Sequence, residues 1–514
     1  MKDILNPKFD ELDSPETINS HIEELLKPEE LMTSSKILTK LLEQFEPLDF
    51  EALAFPKVEK LRKRLNSVDK ESDEAKDIHK ELNKIKLNTR HYTVLAIDNI
   101  LDLAKQNNWG LCKRHNFNYL YNAAFWEEID KDDFQRFLGQ AAEQMQVPKF
   151  AAKYYQFRDH LFKQFLSEAH LPILDIPKDK VLINLKNGTF EITPKGNKLR
   201  AFDSLDFLTY QLPFEYNPKA KAPIFEAYLN KVLPDKERQQ VLAEFLGFVF
   251  IKNRNVVKEE KALILYGTGA NGKSVFFEVV NALLGEENTS NYSLSSLTND
   301  NGYYRAKIAN KLVNYGSEIN GKLESSIFKQ LTSGEPIEAR LPYGEPFTLK
   351  QYAKLIFNCN ELPKNVEHTN GFFRRFLIIP FDVTIPEQEQ DKQLHSKIID
   401  KELSGVFNWV LEGLTRLLQA KRFTQCNAAQ EALEQYKLES DPIKMFLEDM
   451  GYTKSLEFTE PLQELYKEYR SYSIDNGYQL CASRTFSKRL KSAGYQVTRK
   501  NKGMVVYAEK KVVF

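Results

Sequence analysis

The stretch that decides the fold is KALILYGTGANGKSVFFEVVNALLG, residues 261–285. KALILY (261–266) is an apolar run of strand length, and VFFEVVNALLG carries its apolar side chains at helical spacing. Between them lies Gly267-Thr268-Gly269-Ala270-Asn271-Gly272-Lys273-Ser274, which matches G-x-x-x-x-G-K-S in the strand–loop–helix setting that pattern requires. Glycines at these positions let backbone N–H groups wrap a chain of phosphates, and the helix that follows adds the positive end of its dipole. Lys273 is expected on the β- and γ-phosphates and the Ser274 hydroxyl on a magnesium ion, so the loop implies ATP and Mg²⁺.

A phosphate loop serves kinases, transporters, GTPases and motors alike, so the choice rests on what lies downstream. KLVNYGSEIN (311–320) is a second apolar run and ends at Glu318, where a P-loop ATPase needs a carboxylate to support the metal and polarise water. KLIFNCN (354–360) ends in Asn360, a polar strand tip able to sense the γ-phosphate, and RRFLIIPF (374–381) begins with Arg374-Arg375. Each feature alone is commonplace. Lys, Glu, Asn and Arg presented in that order by four successive strands form a nucleotide site.

The rest of the chain frames this core. Its 514 residues exceed one ordinary domain, and 72 basic residues balance 72 acidic ones, so any basic surface must be local. The four cysteines, Cys112, Cys359, Cys426 and Cys481, form no Cys-x-x-Cys pair, which argues against a zinc ribbon or a disulfide framework. The acidic beginning MKDILNPKFDELDS has no apolar centre, and the longest nearly apolar run, VLAEFLGFVFI (241–251), is well short of the roughly 20 residues a spanning helix needs and contains Glu244. The expectation is a soluble, cytoplasmic protein with no membrane partner.

Five regions are expected. Residues 1–105 read as helical and charged, with KVEKLRKRLNSVDKESDEAKDIHKELNKIK (57–86) as a solvated helical hairpin or short coiled coil; residues 106–255 read as a mixed domain. Within the latter, Asn187-Gly188 and Lys195-Gly196 mark turns between short strands. An α/β nucleotide-binding core spans 256–385, helices fill 386–440, and a small basic domain occupies 441–514 after Asp441-Pro442.

These residues resemble the superfamily 3 helicases, in particular the primase-helicases of phages, plasmids, chromosomal islands and poxviruses. The resemblance is carried by GTGANGKS, the strand to Glu318, FKQLTSGEPIEARLPYGEPFTLKQYAKLIFNCNELP and GFFRRFLIIPF, and by INLKNGTF, LPFEYNPKAKAPIFEAYL and VLAEFLGFVF upstream. It covers roughly residues 105–510 and implies a multidomain α/β chain: a helical N-terminal region, an AAA+-like P-loop core with a parallel sheet, and a C-terminal winged helix. It further implies Glu318 as the second-motif carboxylate and metal ligand, Asn360 as sensor, and Arg375, which abuts the apolar strand, as a finger acting on the neighbouring subunit's ATP. A hexameric ring moving 3′→5′ on single-stranded DNA would follow, with unwinding of duplex during replication of a mobile element.

The DNA contact implied is a β-hairpin at IEARLPYGEPFTL, turning at Pro342-Tyr343-Gly344-Glu345. Members often carry a basic residue near that tip; here Tyr343, Arg340 and Lys329 are the candidates. A second contact is expected in residues 476–508, where Arg484, Lys488, Arg489, Lys491, Arg499, Lys500 and Lys502 stand with no acidic residue among them. RTFSKRLKSAG reads as a helix and YQVTRKNKGMVVY as a hairpin, the winged-helix pattern for duplex DNA. The Asp130-Lys131-Asp132 pair reads as a surface turn rather than a polymerase carboxylate pair, so priming is assigned to a separate primase or polymerase. The competing reading is an origin-binding initiator or loader whose ATPase switches assembly. A metabolic kinase is disfavoured because no lid or substrate-base motif is recognisable.

Overall fold

The computed structural model describes residues 31–69, 71–114, 117–169, 179–317, 319, 323–342, 344–363, 366–501 and 503–511. Two units partition the chain. One comprises residues 1–174 with Phe202–Thr209, the other Asp175–Ala201 with Tyr210–Phe514.

The first unit corrects the boundary expected at 105. Helices Ser34–Gln44, Thr89–Gln106, Lys131–Gln144 and Tyr155–Glu168 share one core, in which Ile37, Leu41, Ile97 and Ile100 meet Phe134, Leu138, Leu161 and Phe165. Ser34 adds a polar tie, its N–H and hydroxyl donating to the Glu127 carboxylate at 3.0 and 2.8 Å. The abundance of charge before residue 105 conceals this shared core, because the apolar positions of those helices need the later ones to be covered. The 57–86 segment is the expected hairpin of helices, Lys57–Ser67 and Asp73–Lys84, tied by an Arg64–Glu74 pair at 2.6 Å. Asp130 caps the helix Lys131–Gln144, accepting from the N–H groups of Asp132 and Asp133.

The second unit opens with the antiparallel meander Val181–Leu185, Gly188–Thr193 and Gly196–Arg200, with turns at both expected glycines. Helices Pro223–Val232 and Lys236–Phe248 then pack on the long helix Leu394–Ala420. Small residues permit the crossing: a Cβ on Gly413 would stand 2.3 Å from the Ala243 carbonyl carbon, and one on Gly247 2.7 Å from the Leu414 side chain. Glu402 on the long helix caps the Pro223 helix from outside, accepting from Ile224 N at 3.0 Å and Phe225 N at 2.9 Å.

Glu244, the charge inside the apolar run, is 1% exposed. It accepts from Arg416 Nε at 3.2 Å, Thr424 N at 2.7 Å and Thr424 Oγ1 at 2.5 Å. Glu244→Ala strands these donors, and a loss of about 3 kcal/mol is expected. A urea midpoint equal to wild type would show that the buried carboxylate does not hold these helices together.

Five parallel strands form the central sheet: β1 (Ala262–Tyr266), β2 (Thr289–Ser290), β3 (Val313–Gly316), β4 (Lys354–Cys359) and β5 (Phe376–Pro380). Their order is β5-β1-β4-β3-β2, every pair parallel. Ala262 to Leu265 are fully buried, as in a sheet covered on both faces. The short β2 adds an edge to the four strands legible in the sequence. Because β4 enters between β1 and β3, the chain after it emerges between the phosphate loop and the strand leading to Glu318.

Residues 442–511 fold around a core of their own, centred on Phe446, Leu465, Tyr469, Phe486 and Leu490. The order is helix Pro442–Asp449, short strands Tyr452–Lys454 and Glu460–Pro461, helix Leu462–Asp475, helix Ser483–Ser492, a hairpin of Val497–Lys500 with Gly503–Val506, and a last strand Ala508–Lys510 that pairs with Tyr452–Lys454. Among the described residues no helix is long and apolar enough to cross a membrane.

Candidate nucleotide and nucleic-acid site

The loop after β1 is built from its root outward. Gly267 has φ +157°, and a Cβ there would lie 2.4 Å from Asn271 Nδ2 and 2.5 Å from the Phe381 carbonyl oxygen. Gly272 has φ +87°, and its Cβ would lie 2.7 Å from Val232 Cγ1. Both positions therefore demand glycine, one for the turn out of β1 and one for the turn into the helix Lys273–Leu284. Asn271 is buried and donates to Phe381 O at 3.1 Å; Ile385 N donates to Ala270 O at 2.7 Å; Tyr228 donates its hydroxyl to Gly272 O at 2.8 Å. The root is fixed by these bonds while Thr268, Gly269 and Ala270 stand exposed at the rim.

Lys273 is folded back on its own loop. Its Nζ donates to Gly267 O at 2.5 Å and Asn271 Oδ1 at 3.1 Å, and burial lowers its pKa, offset in part by Cys359. Ser274 follows in the first helical turn, exposed. An ammonium beside loop carbonyls, a free hydroxyl one residue on, and an exposed loop rim fit a triphosphate with a divalent cation.

The tip of β4 is tied to this loop. Gly267 N donates to Cys359 O at 3.1 Å, which places exposed Asn360 beside the start of the loop. Beneath it Tyr315 of β3 donates to Asn358 Oδ1 of β4 at 3.0 Å, fixing the two strands' spacing. Glu318, expected on the neighbouring tip, lies outside the described residues.

The arginines are at the other end of the sheet. Phe376 pairs with Ala262 and Pro380 with Tyr266, so Arg374 and Arg375 lie level with the beginning of β1 while the phosphate loop follows its end. Roughly 16 Å of strand separates the two ends at about 3.3 Å per residue. The two side chains differ. Arg375 is 8% exposed and turned inward, bonding Gly371 O, Ser333 Oγ at 3.0 Å and Glu260 at 3.2 Å. Arg374 is 64% exposed along its side chain and touches the same Glu260 at 3.0 Å. The geometry thus gives the two arginines different surroundings, with Arg375, the finger implied by the resemblance, turned inward.

The hairpin expected between the second and third motifs is present, Ile337–Ala339 against Phe347–Leu349. Exposed Arg340 bridges its turn, Nε donating to Gly344 O at 2.8 Å; Tyr343 lies outside the described residues. The base is held by buried Arg305, which donates to Glu338 O at 2.8 Å, Leu297 O at 3.2 Å and Asn299 O at 2.5 Å. Lys329 is engaged elsewhere, its Nζ 2.8 and 3.1 Å from the Glu367 carboxylate, whose pKa that bond lowers.

Of the basic residues near the C-terminus, Arg484, Lys488, Lys491, Arg499 and Lys500 are exposed. Arg489 instead pairs with Asp441 at 2.6 Å, and Asp441 also caps the helix Pro442–Asp449. Lys502 lies outside the described residues. The positions that sequence reading missed, Tyr228, Arg305, Glu260 and Glu402, owe their roles to distant partners and carry no local signal.

A glycine-rich loop at the end of β1 in a five-stranded parallel sheet is consistent with a P-loop core, and comparison with known proteins narrows the class. The model "D5 N terminal like" matches residues 58–234, "Poxvirus D5 protein-like" matches 438–514, and a family of unknown function, DUF5906, matches 265–375. These matches, on separate stretches of the chain, support a D5-type superfamily 3 helicase family of phages and viruses. The match begins at residue 58, earlier than the 105 at which the sequence motifs begin.

A protein of Acanthamoeba polyphaga mimivirus named as a helicase is 25% identical over 243 residues, covering 44% of this chain and 24% of that protein. Another, from Invertebrate iridescent virus 3, is 23% identical over 351 residues, covering 61% and 37%. The aligned part of the chain therefore spans only about a quarter to a third of those relatives' length. The NrS-1 C-terminal region, in its apo structure, aligns over 80% of this chain and 99% of that one at 12% identity, with a TM-score of 0.41.

Proposed function

We propose that this chain is an ATP-driven DNA helicase that works as a closed ring of identical subunits, hexameric as its family resemblance implies, moving 3′→5′ on single-stranded DNA. The observation that carries the reading is the placement of the phosphate loop and the arginine pair at opposite ends of one sheet. A cation there serves a nucleotide on an adjacent subunit and not its own, so hydrolysis requires a ring contact.

In this reading Lys273 leaves Gly267 O and Asn271 Oδ1 for the β- and γ-phosphates. Asn360 and Glu318 orient the attacking water, with Glu318 as base. Ser274 and Glu318 would hold a magnesium ion, which would supply neutralisation of phosphate charge. We assign the trans finger to Arg374, because Arg375 is committed to Ser333, Gly371 and Glu260 within its own subunit. The hairpin turn, with Arg340 and Tyr343, tracks the strand backbone. ATP hydrolysis by the assembled protein should rise on adding oligo(dT); a rate indifferent to DNA at every length would overturn the motor reading.

The helix–strand–helix–helix–hairpin order of residues 442–506 supports a winged helix. Its exposed cations Arg484, Lys488, Lys491, Arg499 and Lys500 would address duplex DNA, while Arg489 positions the domain through Asp441. Changing the five exposed cations to glutamine should flatten the plot of log affinity for duplex against log salt by about 0.9 per lost phosphate contact. Basal ATP hydrolysis should hold. Superimposed plots would make a protein the domain's target instead.

A further inference from the structure

Nothing in the motor reading uses the most exposed aromatic surface among the described residues, which lies in the first unit. In PKFAAKYYQF (148–157), Phe150 is 92% exposed, Tyr155 64% and Tyr154 50%. Rings this large normally find cover, and three within six residues are not the scattered surface apolar groups that need no explanation. The backbone beneath them is fixed. Ala152, Phe157 and Leu161 of the same segment are buried in the unit's core, and the Tyr154 and Tyr155 rings meet edge to face at 5.0 Å. The rings are thus held out by a packed segment, with little ordering left to do on binding.

Exposed Lys149 and Lys153 are interleaved with the rings. Lys153 has only a loose 3.7 Å pair with Glu143, more than a third exposed on both sides and worth little in water. The nearest carboxylate along the helix, Asp159, accepts from Gln135 at 3.0 Å. Surfaces that bury against another protein gather aromatics but shed lysine from their centre. Aromatic faces alternating with ammonium groups instead match a ligand that alternates flat bases with phosphates.

We propose that Phe150, Tyr154 and Tyr155, with Lys149 and Lys153, form a stacking platform for single-stranded DNA, separate from the ATPase sheet and its hairpin. The platform rests on the reading of the chain as a DNA motor for the identity of its ligand, and not on ATP hydrolysis. It holds bases by their faces and is therefore indifferent to sequence.

The test is oligo(dT) affinity of the full-length protein without nucleotide, measured across salt concentrations. Phe150→Ala and Tyr155→Ala should each weaken binding about tenfold with the salt slope unchanged, because stacking releases no counterions. Lys149→Gln with Lys153→Gln should lower the slope by about 0.7 per lysine. Unstimulated ATP hydrolysis should stay at the wild-type rate in all three variants. Wild-type affinity in the aromatic variants overturns the platform and leaves the motor reading standing. Wild-type protein that binds no oligo(dT) overturns both. Aromatic variants that change subunit stoichiometry by light scattering while keeping DNA affinity assign the surface to contact between copies and overturn the platform.

Discussion

Lys273→Ala is expected to reduce ATP hydrolysis by several orders of magnitude while leaving the fold intact. The side chain is 6% exposed, but its bonds go to Gly267 O and Asn271 Oδ1 on its own loop, whose shape is set independently by Asn271 with Phe381, Tyr228 with Gly272 and Ile385 with Ala270. Alanine therefore removes the main cation of the phosphate site without releasing the loop. Charge that develops on the γ-phosphoryl oxygens loses the preorganised group that meets it, and such groups supply the largest share of the rate in phosphoryl transfer. Circular dichroism and urea midpoint should match wild type. Near wild-type hydrolysis by this variant would remove Gly267–Ser274 from the active site.

Arg374→Ala should lose hydrolysis by about 10³–10⁵-fold, the range seen for arginine fingers, yet still bind nucleotide through its intact loop. Because the residue is level with the start of β1, its loss is felt at a neighbour's site. Mixing Arg374→Ala with Lys273→Ala subunits should recover activity, since an interface between one of each holds an intact loop facing an intact arginine. Arg375→Ala should behave differently. It removes the buried contacts to Ser333, Gly371 and Glu260 and should cost about 2–3 kcal/mol of stability. Should Arg375→Ala be stable and complement in trans while Arg374→Ala hydrolyses normally, the finger is Arg375, as its position against the strand implies.

What could be read in the sequence was whatever is fixed by neighbours along the chain. The strand, loop and helix around Gly267–Ser274 and the meander with turns at Gly188 and Gly196 follow from local periodicity and turn chemistry, while the 337–349 hairpin is implied by the family resemblance. What escaped depends on partners that only folding brings near. Lys329 and Arg489 look like free cations in sequence, but Glu367 and Asp441 take them up. Arg375 is favoured as the finger in sequence because it abuts the apolar strand, yet Ser333 draws it inward and leaves Arg374 exposed. The apolar stripes of residues 34–44 and 89–106 look like those of a separate helical region, yet they close one core with residues 131–168. The second-motif position could be named from its strand alone; Glu318 is a sequence assignment throughout.

The most direct test of the account is strand displacement from a forked DNA duplex carrying a 3′ single-stranded tail. Release of the labelled strand should require ATP, fail with Lys273→Ala or Arg374→Ala alone, and partly return when the two are mixed. ATP hydrolysis at full rate with no strand released on any fork would contradict the motor and assign the chain to an initiator whose nucleotide cycle switches assembly.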